Sequence, residues 1–130
     1  NHAHDSRWVH RPRMDWALAA TRHSGEGIAS RAFLGVRHIL ARRRATPDLH
    51  GGHPTQILHS GLAPVFAVQR LAPTAAILCL FNFSEGWQHL SGDWLRANGV
   101  SAFHDALSDA PVALHGDQLA LPPFGRAWLT

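Results

Sequence analysis

The chain has 130 residues, 45% of them hydrophobic and 16% charged, with 12 basic against 9 acidic side chains and a formal net charge of +3. That balance excludes a disordered tail and fits a soluble globular protein with one small core. All the basic residues are arginine, which reads as the coding bias of a G+C-rich genome and not as a nucleic-acid surface, since the latter needs basic residues gathered on one face.

Asn1 opens the chain and Met14 is its one methionine, so a fragment of a longer protein is expected. Residues 1–25 form a polar zone. The run from His4 to Trp16 packs charges, imidazoles and indoles with neither a strand's alternation nor a helix's apolar stripe. It reads as an ordered loop whose side chains contact something polar and ring-shaped. A short helix is possible around residues 15–22, and Asp15 or Ser24 suits a helix cap.

Residues 26–45 carry one helix signature. Ile28, Ala32, Phe33, Val36, Ile39 and Leu40 recur at three- and four-residue intervals, and Pro47 stops the pattern. The stripe is too apolar to float free, so it must pack on a body, either the following domain or structure upstream. Arg42-Arg43-Arg44 ends this helix, where cations meet the dipole and the last carbonyls favourably.

From Thr55 onward the pattern changes to strands. Residues 56–58, 65–69 and 76–83 are β-rich runs separated by Gly61, Pro64 and Pro73. Further strands are expected at 87–90, 112–115, 118–121 and 126–129, with turns at His115-Gly116-Asp117 and Pro122-Pro123-Phe124-Gly125. About seven short strands point to an antiparallel sandwich or barrel. Residues 93–97 and 103–107 carry no decisive pattern. Cys79, the single cysteine, sits in an apolar run and reads as a small buried hydrophobe. A lone cysteine suits a reducing compartment. No apolar stretch approaches the roughly 20 residues of a membrane span, and no signal peptide is visible.

Candidate chemistry is sparse. Glycosidic hydrolysis needs two carboxylates at a set separation, and the chain has only two glutamates, Glu26 at the helix start and Glu85 in a turn. Structural roles suit both. No phosphate loop or nucleophile elbow is present. Among the histidines, His2 and His4 with Asp5, or His50 with His53 and His59, could ligate zinc in principle, but their spacing matches no recognised site. No cofactor is expected. Trp8 and Trp16 are candidates for stacking on sugar rings or for burial.

Asp5-Ser6-Arg7-Trp8-Val9-His10-Arg11-Pro12 closely resembles a segment of amylosucrases and related sucrose hydrolases, members of glycoside hydrolase family 13, the α-amylase clan. In that family the segment lies between the last barrel strand and the final barrel helix. Residues 35–43, followed by Ala45-Thr46-Pro47, resemble that helix. Phe81-Asn82-Phe83-Ser84-Glu85, Leu121-Pro122-Pro123-Phe124 and Trp128-Leu129 resemble strands of the family's C-terminal β-domain.

The resemblance implies an α+β fragment. Residues 1–48 would be the active-site loop and last helix of a (β/α)₈ barrel, and residues 49–130 an antiparallel β-sandwich. It implies a parent enzyme that cleaves sucrose by a retaining double displacement, with an aspartate nucleophile and a glutamate acid/base. Amylosucrase passes the glucosyl unit to an α-1,4-glucan and releases fructose; alternatives are a sucrose hydrolase or a relative such as trehalose synthase. Arg7 matches an arginine that pairs with a barrel carboxylate and closes the sucrose pocket, a role suited to a forked guanidinium. Asp5, Trp8, His10 and Arg11 would support the loop.

His4-Asp5 resembles the clan's His-Asp pair, but that pair precedes the loop by tens of residues, so Asp5 is not assigned as catalytic. The catalytic carboxylates are expected upstream, leaving this chain inactive alone. The implied partners are sucrose, α-glucan and the upstream barrel, with no nucleic acid and no membrane. A bacterial cytoplasmic location is expected, with secretion left open. A reading of another class is a free-standing carbohydrate-binding β-sandwich module. Such a module, however, has no need of an apolar helix stripe and a charged loop built for another body.

Overall fold

The structure is a computed structural model and describes residues 13–130. The chain divides into two compact units at Leu40–Ala41. In the first, α1 (Trp16–Ala20) is capped by Asp15, whose Oδ1 accepts from the Leu18 amide at 2.9 Å. A 3₁₀ turn at Thr21–His23 follows. Ser30 is fully buried and closes the connection, its hydroxyl donating to the Arg22 carbonyl and accepting from the Gly25 amide, both at 3.0 Å.

Helix α2 (Gly27–Ala45) is the one the apolar spacing predicts. Phe33 is half-buried, with His23 edge-on at 5.1 Å and the Arg22 guanidinium over its ring at 5.6 Å. Ile28, Ala32, Val36 and Leu40 are exposed.

The second unit holds two antiparallel sheets. A six-stranded sheet has the order β1-β2-β3-β8-β5-β6, and a two-stranded ribbon pairs β4 with β7. The strands are β1 (Thr55–Leu58), β2 (Val65–Leu71), β3 (Ala76–Asn82), β4 (Gln88–Ser91), β5 (His104–Asp105), β6 (Ala110–Pro111), β7 (Gln118–Leu121) and β8 (Arg126–Leu129). A short helix α3 (Gly92–Ala97) follows β4, and a 3₁₀ turn (Pro47–Leu49) precedes β1.

The core lies between the large sheet, the ribbon and α3. Val65 and Ala67 of β2, Leu78 and Leu80 of β3, and Ala127 and Leu129 of β8 meet Leu90, Leu119 and Leu121 from the ribbon and Leu95 from α3. This arrangement is mostly antiparallel β with few helices, as anticipated for a C-terminal β-domain.

One expectation changes and one undecided stretch takes a definite form. No strand forms at residues 112–115. Instead Val112 donates its amide to the Phe103 carbonyl at 2.6 Å, and Val112 and Leu114 pack on the core from a loop. Pro111 ends β6, and His115 and Gln118 bond reciprocally around Gly116 and Asp117, both at positive φ. That is a two-residue hairpin turn of the type that matches strand twist, so regular pairing begins only at Gln118. Residues 93–97, undecided in sequence, form a helix because Leu95 is drawn fully into the core.

Candidate functional site

Arg7, assigned to the sugar pocket, and Asp5, Trp8, His10 and Arg11, assigned to support its loop, lie outside the described residues, as do His2 and His4. Trp16, the other stacking candidate, is 75% exposed. Among the described residues no group of three metal-ligating side chains comes together. His50 and His53 meet edge-on at 5.8 Å, while the Nδ1 of His50 accepts from the Gly52 amide and that of His59 from the Gly61 amide, each at 3.1 Å. These imidazoles organise their own turns.

Several described carboxylates are held by donors. Asp105 is buried and accepts from the amides of Leu107, Ser108 and Trp128 and from the Ser108 hydroxyl at 2.6–3.1 Å. Asp109, at φ +59°, takes both arms of Arg42, at 3.0 and 3.1 Å, while Arg42 Nε donates to the Ala106 carbonyl at 2.7 Å.

Arg42 thus does more than face its own helix end, as the arginine triplet suggested; it fastens the C-terminus of α2 to the β5–β6 turn. Asp117 pairs with Arg96 at 2.5 Å, and that hydrogen bond holds its carboxyl below the usual carboxylate range. A general acid needs the opposite shift. Glu26 and Glu85 are both exposed. Cys79 is buried, and burial pushes its thiol up to about 11 despite the nearby Arg70, so it is no thiolate nucleophile.

The most organised polar feature is one that sequence reasoning missed. Asn82 is 2% exposed at the end of β3. Its Nδ2 donates to the carbonyls of Gly86 and Pro122 at 2.8 Å, and its Oδ1 accepts from the Ser84 amide at 3.0 Å and hydroxyl at 2.7 Å. One side chain therefore ties the 83–87 loop to the 122–125 turn. That turn closes through Gly125, where a Cβ would meet Pro122 at 2.7 Å. The signal was an asparagine inside an apolar strand run, a residue depleted in strands. Around it Phe83, Trp87 and Phe124 are 60–70% exposed.

The family described as "Amylosucrase, C-terminal domain" matches residues 55–130. Among solved structures, trehalulose synthase MutB from Pseudomonas mesoacidophila is similar at 21% identity and a TM-score of 0.59, over 85% of this chain and 20% of that one. A MutB mutant in complex with the substrate sucrose gives 21%, 0.58, 85% and 20% in the same order. AmyP in complex with maltose gives 15% and 0.60, over 79% of this chain and 21% of its own. At these identities the likeness speaks for the fold. The chain spans about a fifth of the length of the structures it matches.

Proposed function

The chain belongs to the amylosucrase C-terminal domain family, and from that premise we propose that it is the C-terminal part of a sucrose-active, retaining enzyme of glycoside hydrolase family 13. One observation carries this reading: the family match begins at Thr55, the first residue of β1, and runs through β8. It therefore coincides with the two-sheet domain.

Within this reading the parent enzyme transfers a glucosyl unit from sucrose to an α-1,4-glucan and releases fructose. Transfer to water, as in a sucrose hydrolase, or isomerisation, as in a trehalose synthase, are the neighbouring outcomes. The reacting carboxylates belong to a (β/α)₈ barrel. Residues 1–48 supply that barrel's last active-site loop and final helix. The apolar stripe of Ile28, Val36 and Leu40, 55–79% exposed, supports this assignment, because such a stripe requires a packing partner.

Arg7 is the substrate-binding residue, its guanidinium forking onto a barrel carboxylate while donating to sugar hydroxyls. Asp5, Trp8, His10 and Arg11 hold its loop. The natural location is the bacterial cytoplasm, with sucrose and α-glucan as the small-molecule partners.

The test is sucrose turnover in the longer polypeptide. Arg7→Ala is expected to lower kcat/KM by about 10²-fold or more, the cost of losing substrate positioning, with the β-domain's circular dichroism unchanged. Near-normal turnover removes Arg7 from the site. Sucrose cleavage by the 130-residue chain alone sinks the reading.

A further inference from the structure

The ribbon of β4 and β7 forms the far wall of the core, and its outer side faces away from the six-stranded sheet. Its register pairs Leu90 with Leu119 on the core side, and His89 with Ala120 and Ser91 with Gln118 on the outer side. Carrying the alternation one step back puts Trp87 on that same outer side, beside Pro122, and Trp87 is 60% exposed. His89, Ser91 and Gln118 are exposed along the face, and Ala120 is small enough to leave it open.

The tryptophan end of this face is firmly fixed. Asn82 donates to the Gly86 carbonyl, immediately before Trp87, and to the Pro122 carbonyl, both at 2.8 Å. The Phe124 amide donates to the Ser84 carbonyl at 3.1 Å, and the Gly125 amide to the Pro122 carbonyl at 2.8 Å. Phe124 is held at φ +51° and is 64% exposed. The left-handed region is costly for a bulky side chain, and here the ring is also held out in water. Neither the strain nor the exposure serves the core.

We propose that Trp87, with Phe124 on the adjoining turn, is the platform of a non-catalytic binding site on the outside of the ribbon for a short stretch of α-1,4-glucan. The ligand class follows from the surface chemistry. A fixed ring flanked by neutral donors and acceptors matches a sugar, which offers an apolar face of C–H groups and a rim of hydroxyls. The outer positions of the ribbon carry no charge. Glu85 stands at one end, and at the other Arg96 pairs with Asp93 and Asp117, so the face complements an uncharged ligand. Its polar histidine, serine and glutamine suit hydroxyls better than the aromatic and aliphatic core of a protein interface. That the sugar is an α-glucan rests on the function proposed above, in which such a chain is the acceptor. A pre-set platform loses little freedom on binding, and tethering the glucan there raises its effective concentration at the enzyme. The site stays open whatever covers the six-stranded sheet, because it lies on the opposite side of the core.

Calorimetric titration of the 130-residue chain with maltoheptaose tests this. Saturable binding is expected, and Trp87→Ala should weaken it at least about tenfold, the loss of a dominant aromatic anchor, with the circular dichroism spectrum unchanged. Trp87→Phe should retain most of the affinity. His89→Ala removes a polar flank and should weaken binding by about three- to tenfold, which keeps the test decisive if Trp87→Ala fails to fold. Ile57→Thr, on the other sheet, should bind like the parent chain.

Absence of binding, or binding indifferent to Trp87→Ala and His89→Ala, overturns the proposal. So does equal affinity for a β-1,4-linked glucose oligomer, which makes the face a non-selective ring surface, or a dimer in sedimentation that Trp87→Ala dissolves, which makes it a self-association face. A longer polypeptide that leaves sucrose intact defeats the function reading while maltoheptaose binding stands; sucrose cleavage without maltoheptaose binding to this chain defeats only the glucan site.

Discussion

The two faces of one sheet behave differently along the same strands. On the core face Ala67, Leu78, Leu80 and Leu129 are at most 1% exposed. On the outer face, burial is complete at Ile77 and fails by Phe83, within a single strand and its next residue. β2 keeps the alternation of a half-buried strand, with Val65 and Ala67 buried and Phe66 exposed, whereas residues 77–80 of β3 are buried without a break. A break in the period of two therefore reports that both faces are covered, and its restoration at Phe81 to Phe83 marks where cover ends.

Substitutions at graded positions sharpen that contrast. The largest effect is expected on the core face. Leu80→Ala removes a fully buried side chain and should destabilise by about 2–5 kcal/mol in denaturant unfolding; a cost near zero would mean that the two faces are equivalent. Asn82→Ala comes next. It strands the Ser84 amide and the Gly86 and Pro122 carbonyls and should cost about 1–3 kcal/mol, with faster amide exchange in the 83–87 and 122–125 turns.

A smaller effect belongs to the exposed Arg96–Asp117 pair at the far side of the core. Asp117's carboxyl is held below its ordinary value of 3.8 by the Arg96 hydrogen bond. The pair's contribution is therefore present above that value and lost as pH falls through the lowered one. Arg96→Ala should flatten this acid limb of the stability profile, by a small loss of stability at neutral pH with none below the lowered value. An unaltered limb would show that the pair adds nothing. Smallest of all, Ile57→Thr on the edge strand keeps a β-branched side chain on an exposed site and should stay within about 0.5 kcal/mol in this chain. A larger loss would show that Ile57 packs against the fold more than its exposure indicates.

Much of the fold was legible from short-range pattern. The stripe from Ile28 to Leu40 marked α2, Asp15 marked the cap of α1, and the β-rich runs marked β1, β2, β3, β7 and β8 closely. The His115-Gly116-Asp117 turn was placed correctly, yet the strand expected before it was absent, because Pro111 ends one ladder and the hairpin admits regular pairing only from Gln118. Helix α3 escaped notice, since six residues with one core anchor, Leu95, give no periodicity. The sugar-pocket residues around Arg7 rest on resemblance alone and lie outside the described residues. Asn82 stood out only as an asparagine inside an apolar strand run, a pattern that gives no hint of the partners it ties together.

By itself the sequence determined the helix, the strand runs, the turns and the buried thiol, because each is set by a few neighbouring residues and their preference for water or its absence. It also carried the motifs by which the family was recognised. Only the tertiary structure decided what Asn82 and Arg42 hold, since Asn82 reaches Pro122 across 40 residues and Arg42 reaches Asp109 across 67. It likewise decided where the outer face of the sheet is covered and where it is bare. Such matters depend on which distant segment arrives at a surface, and no local pattern encodes that arrival.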